Sequence, residues 1–93
     1  MIEWMEIEQA HEGISRVLKL VKAERERQIE KWGPQYHTPL EWYPILGEEI
    51  GEVGKALAEG EIKDFDVANY REECIHTAAV AMAMVQCIDD GIA

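Results

Sequence analysis

Basic residues are scarce in this 93-residue chain: 9 Lys and Arg stand against 19 Asp and Glu, for a formal net charge of −10. Proteins that grip a phosphate backbone concentrate Lys and Arg, so the shortage argues against nucleic acid as a partner. It argues equally against adhesion to an anionic membrane surface. Long apolar runs are missing as well, since none reaches the roughly 18–20 residues that a membrane span requires. The acidic start MIEWMEIEQAHEG lacks the basic opening of a signal peptide. Cysteine is limited to Cys74 and Cys87. On one helix, thirteen residues put about 20 Å between them, too far to bridge. Two unpaired thiols suit a reducing compartment, and a cytoplasmic protein is expected. Strand signals are lacking too: Val, Ile and Thr do not alternate with polar residues, and no Asn-Gly or Asp-Gly hairpin turn occurs.

What remains is helix-forming sequence with 47% hydrophobic residues, which excludes a disordered acidic tail. The length allows one domain, residues 1–93. A domain this small buries only roughly 60–65% of the surface its unfolded chain exposes. The expected architecture is therefore all-α, a bundle of about three helices per chain completed by oligomerisation as a homodimer or homotetramer.

The first helix is expected from about Ile7 to Lys31. Ile7, Ala10, Ile14, Val17, Leu18 and Val21 recur at helical spacing, and the charged stretch KAERERQIEK reads as a solvated extension. Gly33-Pro34 breaks it. Thr38-Pro39-Leu40-Glu41 has the form of a capping box, with Pro39 in the first helical position. The second helix is expected from about Pro39 to Glu59, with Gly60 as its stop and Pro44 as a kink or a sign of a later start. Asp64 or Asp66 would cap a third helix that runs to about Asp90 and stops at Gly91. Its segment Ala78–Val85 is apolar nearly all round, the pattern of a helix covered on several sides, and supports a dimer interface there.

The acids on the second and third helices carry the chemical information. At about 100° per residue, Leu46, Ile50, Val53 and Leu57 form one stripe. Glu49 and Glu52 lie at its edge on the same side, while Glu48 lies nearly opposite. On the third helix, Tyr70, Thr77, Val80, Ala81, Met84 and Ile88 share a face. Glu73 falls within it, Asn69 and His76 flank it, and Glu72 points away. Carboxylates directed at a core are costly unless paired, and adjacent ones repel each other. A divalent cation relieves both costs, and Mg²⁺ takes oxygen ligands and substrate phosphates.

Glu48-Glu49-Ile50-Gly51-Glu52 is an EExxE motif, and Glu73-Cys74-Ile75-His76 follows on the next helix. Together with ERERQIEKWGPQYH, ILGEEIGEVGKAL and NYREECIHTAAVAMA, this resembles the MazG-like family of all-α nucleoside triphosphate pyrophosphohydrolases, over roughly residues 24 to 88. The resemblance implies hydrolysis of a nucleoside triphosphate, ribo or deoxy, to the monophosphate and pyrophosphate, as nucleotide-pool housekeeping. It implies Mg²⁺, with Mn²⁺ an alternative, bound by Glu49, Glu52 and Glu73. The family's ExxD becomes Glu73-Cys74-Ile75-His76 here, so His76 takes the place of an Asp, and imidazole is a poor Mg²⁺ ligand. Glu48 or Glu49 is the candidate base. Lys31 and Lys55 are candidates for phosphate, Trp32 for stacking on a base, and Asn69 for a phosphate or sugar. The alternatives are a non-catalytic nucleotide- or metal-binding module and a helical oligomerisation module.

Overall fold

A computed structural model describes residues 3–92 and contains three α-helices: α1 (Trp4–Trp32), α2 (Pro39–Ile62) and α3 (Val67–Asp89). These residues are 84% helical, with no strand among them. The all-α expectation therefore holds. None of the helices is long and apolar enough to cross a membrane.

Local sequence explains the helix ends. α1 starts earlier than expected because Glu3 and Glu6 form a capping box around its first turn. Gly33 closes it in the left-handed region, φ 75°, where a side chain would be strained. The Thr38–Glu41 capping box forms as the spacing predicts. The Glu41 amide donates to Thr38 Oγ1, the Thr38 amide donates to the Glu41 carboxylate, and Pro39 occupies the first turn. Asp66, rather than Asp64, caps α3 by accepting from the Asn69 amide at 3.0 Å. Pro44 lies inside α2, and the helix continues through it.

Gly60 does not stop α2, which runs on to Ile62. The glycine has a different use. Phe65 folds back over this turn, and a Cβ at position 60 would meet Phe65 Cδ2 at 2.6 Å and its Cβ at 3.3 Å. Phe65 also meets Tyr70, with ring centroids 5.6 Å apart, so it links the end of α2 to the start of α3.

α3 is the central element. α1 and α2 each lie along it but nowhere bring Cα atoms within 8 Å of each other. The α2–α3 seam holds the main core: Trp42, Val80, Ala83 and Cys87, with Ile45, Leu46 and Met84 against them. The Trp42 indole N–H donates to Cys87 Sγ at 3.3 Å, and the Cys87 thiol donates to the Gln35 carbonyl at 3.6 Å. One buried thiol thus ties the α1–α2 connector to both helices. On the other flank, Val21 is the buried residue of α1.

The buried stripes are rotated from those expected. In α2, Trp42 and Ala56 are buried, whereas Ile50 and Leu57 are 55% and 47% exposed. In α3, the buried line is Ala79, Val80, Ala83 and Cys87, while Ala81 and Ile88 face out. The reason is that α3 is gripped between two partners, so its core line follows both seams rather than the mean direction of its apolar residues. KAERERQIEK is not a solvated extension, because Glu24, Arg25, Gln28 and Ile29 are half-buried.

A Gly60→Ala change in an ordinary helix interior would gain roughly 1 kcal/mol. Here Phe65 opposes the new methyl group. Gly60→Ala is expected to lower the urea midpoint, and the same substitution in a Phe65→Ala background to raise it.

Candidate functional site

Because α1 and α2 do not meet, a cleft of about 340 Å³ lies between them, with His76 and Val80 of α3 as its floor. Gln28 and Trp32 come from α1, Gln35 and His37 from the connector, and Trp42, Ile45, Glu48 and Glu49 from α2. His37 meets Trp42 edge-on, with ring centroids 4.8 Å apart. Trp32 is half exposed, and the Lys31 ammonium sits 4.8 Å from its ring centroid. The cleft thus joins aromatic walls to an acidic end.

Glu49 and His76 of this lining and Glu73 beside them each offer one ligand atom, and these atoms lie within 4.8 Å of one another. All three residues are half-buried. Glu73 and His76 are one turn apart on α3, with Glu73 Oε2 3.5 Å from His76 Nδ1. Glu49 comes from α2, so the seam between the two helices assembles the set. Burial pushes the Glu49 carboxyl above its ordinary pKa. His76 opposes that shift, whereas the carboxylates of Glu73, Glu24 and Glu52 add to it.

The other expected site residues are distributed as follows. Glu48 is exposed and lines the cleft beside Glu49. Glu52 and Lys55 are exposed and border a neighbouring groove together with Glu59, Asn69 and Glu73. Glu73 therefore belongs both to the triad and to this second groove, which Glu52 and Asn69 also line. Lys31 sits over the ring of Trp32, and of the two only Trp32 lines the cleft.

Glu24 of α1 is an addition that the motif spacing did not reveal. Its side chain is only 10% exposed. Arg27 holds it with two hydrogen bonds, Nε to Oε1 at 2.8 Å and a terminal nitrogen to Oε2 at 2.7 Å, and Gln28 donates to Oε2 at 3.1 Å. The Arg27 hydrogen bond, helped by His76, holds the Glu24 carboxyl below its ordinary pKa. A signal was present: Ile7, Ala10, Ile14, Val17 and Val21 continue at helical spacing to Glu24 and Gln28. A stripe that changes from apolar to polar without changing phase marks polar groups turned toward a neighbour.

Comparison with known proteins finds no matching family model, curated protein or solved structure.

The raised Glu49 pKa has a defined consequence. The folded metal-free chain holds this proton more tightly than the unfolded chain, so stability falls as the pH rises through the range above 4.5. Glu49→Gln is accordingly expected to raise the metal-free melting temperature at pH 7 by on the order of 2–4 °C. Thermal scans at pH 3, below the ordinary carboxylate range, should show no such gain. Glu24 carries the opposite sign: its contribution is present above the ordinary carboxylate range and lost as the pH falls through its lowered pKa.

Proposed function

We propose that the chain is a metal-dependent nucleoside triphosphate pyrophosphohydrolase of the MazG-like kind. The carrying observation is the Glu49–Glu73–His76 triad, two of whose members, Glu49 and His76, line an aromatic-walled cleft. All three members belong to the motifs that carry the resemblance, Glu49 to EExxE and Glu73 and His76 to Glu-x-x-His. The cleft volume lies within the range of small-molecule sites.

The donor set fits a divalent cation. Two carboxylates and an imidazole suit Mn²⁺ as well as Mg²⁺, and the imidazole favours Mn²⁺. Such a cation, when bound, neutralises phosphate charge and eases deprotonation of water. This reconciles an acidic protein with a polyanionic substrate. The remaining work falls to the chain's own groups. Glu49, Glu73 and His76 hold the cation, with Glu52 in reserve in the groove that Glu73 also lines. Glu48 stays free at the cleft edge and accepts the proton of the attacking water. Trp32 stacks on the base with Lys31 against its ring, and Lys55 approaches the phosphates from the Glu52 groove. Asn69 meets the phosphate or sugar from the Glu52 groove. The products are the nucleoside monophosphate and pyrophosphate, a housekeeping reaction of the cytoplasmic nucleotide pool.

We infer further that the working form is a homodimer or homotetramer. The chain exposes 7107 Å², whereas a compact monomer of 10.6 kDa exposes about 5,500 Å². Its radius of gyration is 15.8 Å, against about 12 Å for a compact chain of this length. Ile14, Leu18, Ile50, Leu57, Val85 and Ile88 are each at least 47% exposed. The excess area is enough for a stable interface with a second copy.

The test is incubation of the protein with Mn²⁺ or Mg²⁺ and a panel of ribo- and deoxynucleoside triphosphates, assaying monophosphate and pyrophosphate. Turnover is expected with at least one nucleotide, and Glu49→Gln and Glu73→Gln are each expected to reduce it at least 100-fold. Nucleotide binding without turnover would favour a sensing module, and no metal or nucleotide binding would overturn the reading. Light scattering should report a dimer or tetramer, and Leu18→Glu or Leu57→Glu is expected to shift it toward monomer.

A further inference from the structure

His76 presents two edges to two different groups of acids. Its Nδ1 faces Glu73 Oε2 at 3.5 Å, on the side of the triad. Its Nε2 lies 3.7 Å from Glu24 Oε1 and 3.8 Å from Glu72 Oε1. The last two acids are not equivalent. The Glu72 side chain is 66% exposed, so solvent competes for it. The Glu24 side chain is almost covered, and three hydrogen bonds from Arg27 and Gln28 fix its position. Its Oε1 takes one of those bonds, from Arg27 Nε, and keeps acceptor capacity on the side of His76.

We propose that Glu24 is a positioning residue for His76: it holds the Nε2 edge against α1 so that Nδ1 stays turned toward Glu49 and Glu73. The proposal rests on the metal-binding reading of the triad.

The chemistry requires such a group. An imidazole can rotate, and either nitrogen can carry its proton. A metal-ligating histidine almost always donates its other N–H to an acceptor, a carboxylate, a backbone carbonyl or a water, which fixes the ring and its tautomer. An aspartate at position 76 would need no such partner, because its two oxygens are equivalent. Glu24 is the one acid beside Nε2 that is itself immobilised. Arg27 is thus a clamp one step further out. It neutralises Glu24 and aims it, so the run Glu24–Arg25–Glu26–Arg27 is not simply a solvated charge run.

The experiment is calorimetric titration of Mn²⁺ into the full chain as wild type, Glu24→Gln, His76→Asp and the double variant, with folding checked by circular dichroism. The expected loss of Mn²⁺ affinity for Glu24→Gln is about 10–100-fold. In the His76→Asp background the same change should alter affinity by less than about threefold. A purely structural or long-range charge role would lower affinity equally in both backgrounds, and that result would overturn the proposal, as would wild-type affinity in Glu24→Gln. Arg27→Gln, which releases Glu24 without removing it, serves if Glu24→Gln fails to fold. A smaller loss, again dependent on His76, is expected of it, and no loss would overturn the proposal. If the wild-type chain binds no Mn²⁺, the metal reading itself falls and this proposal falls with it. A chain that binds Mn²⁺ with no effect of either substitution removes the role of Glu24 alone.

Discussion

α3 is apolar around much of its circumference, and a helix of that kind persists in water only when it is covered on more than one side. α1 and α2 meet this demand from two flanks, and their backbones stay apart, with no Cα pair within 8 Å. The cleft follows from that arrangement. Its floor is α3, its walls are the two flanking helices, and Gln35 and His37 of the connector that Cys87 and Trp42 hold in place also line it. Small residues on α3 contribute to the same result. Ala79 and Ala83 are buried completely or nearly so and carry nothing beyond Cβ, so the flanking helices can lie close to the α3 backbone.

Coverage by two helices is incomplete, and the site lies where it runs short. Glu49 and Glu73 are half-buried carboxylates brought together across a helix seam, with a third, Glu24, approaching from the opposite flank. Such a concentration of like charge destabilises the fold, and hydrogen-bond donors are divided unequally among its members. Glu24 receives Arg27 and Gln28 and is held below its ordinary pKa, whereas Glu49 is pushed above its own. The fold thus satisfies one acid with fixed donors and leaves the other at the cost of its burial.

Much of this was legible in the sequence, though unevenly. Thr38-Pro39-Leu40-Glu41 announced the start of α2 correctly because a capping box is a local contract among neighbours. The grouping of Glu49, Glu73 and His76 was approachable from helical phase and motif spacing. Gly60 misled, because its role is set by Phe65, a residue that only the following turn brings back onto it. The buried stripes of α2 and α3 were misphased for a related reason. A projection averages the apolar residues of one helix, whereas burial depends on where its neighbours lie. Glu24 escaped the motif reading because its significance depends on α1 crossing α3 next to His76, fifty-two positions later in the chain.

The sequence by itself determined three helices, the capping box that opens α2 and a set of acids directed inward at helical spacing, since those properties depend on contacts within a few residues. Only the tertiary structure decided which acids meet. It drew Glu49, Glu73 and His76 together, put Glu52 in a neighbouring groove that Glu73 also lines, and brought Glu24 to the Nε2 edge of the imidazole. The physical reason is that a helix fixes the direction of its own side chains, while the distance between side chains on different helices is set by how the helices pack.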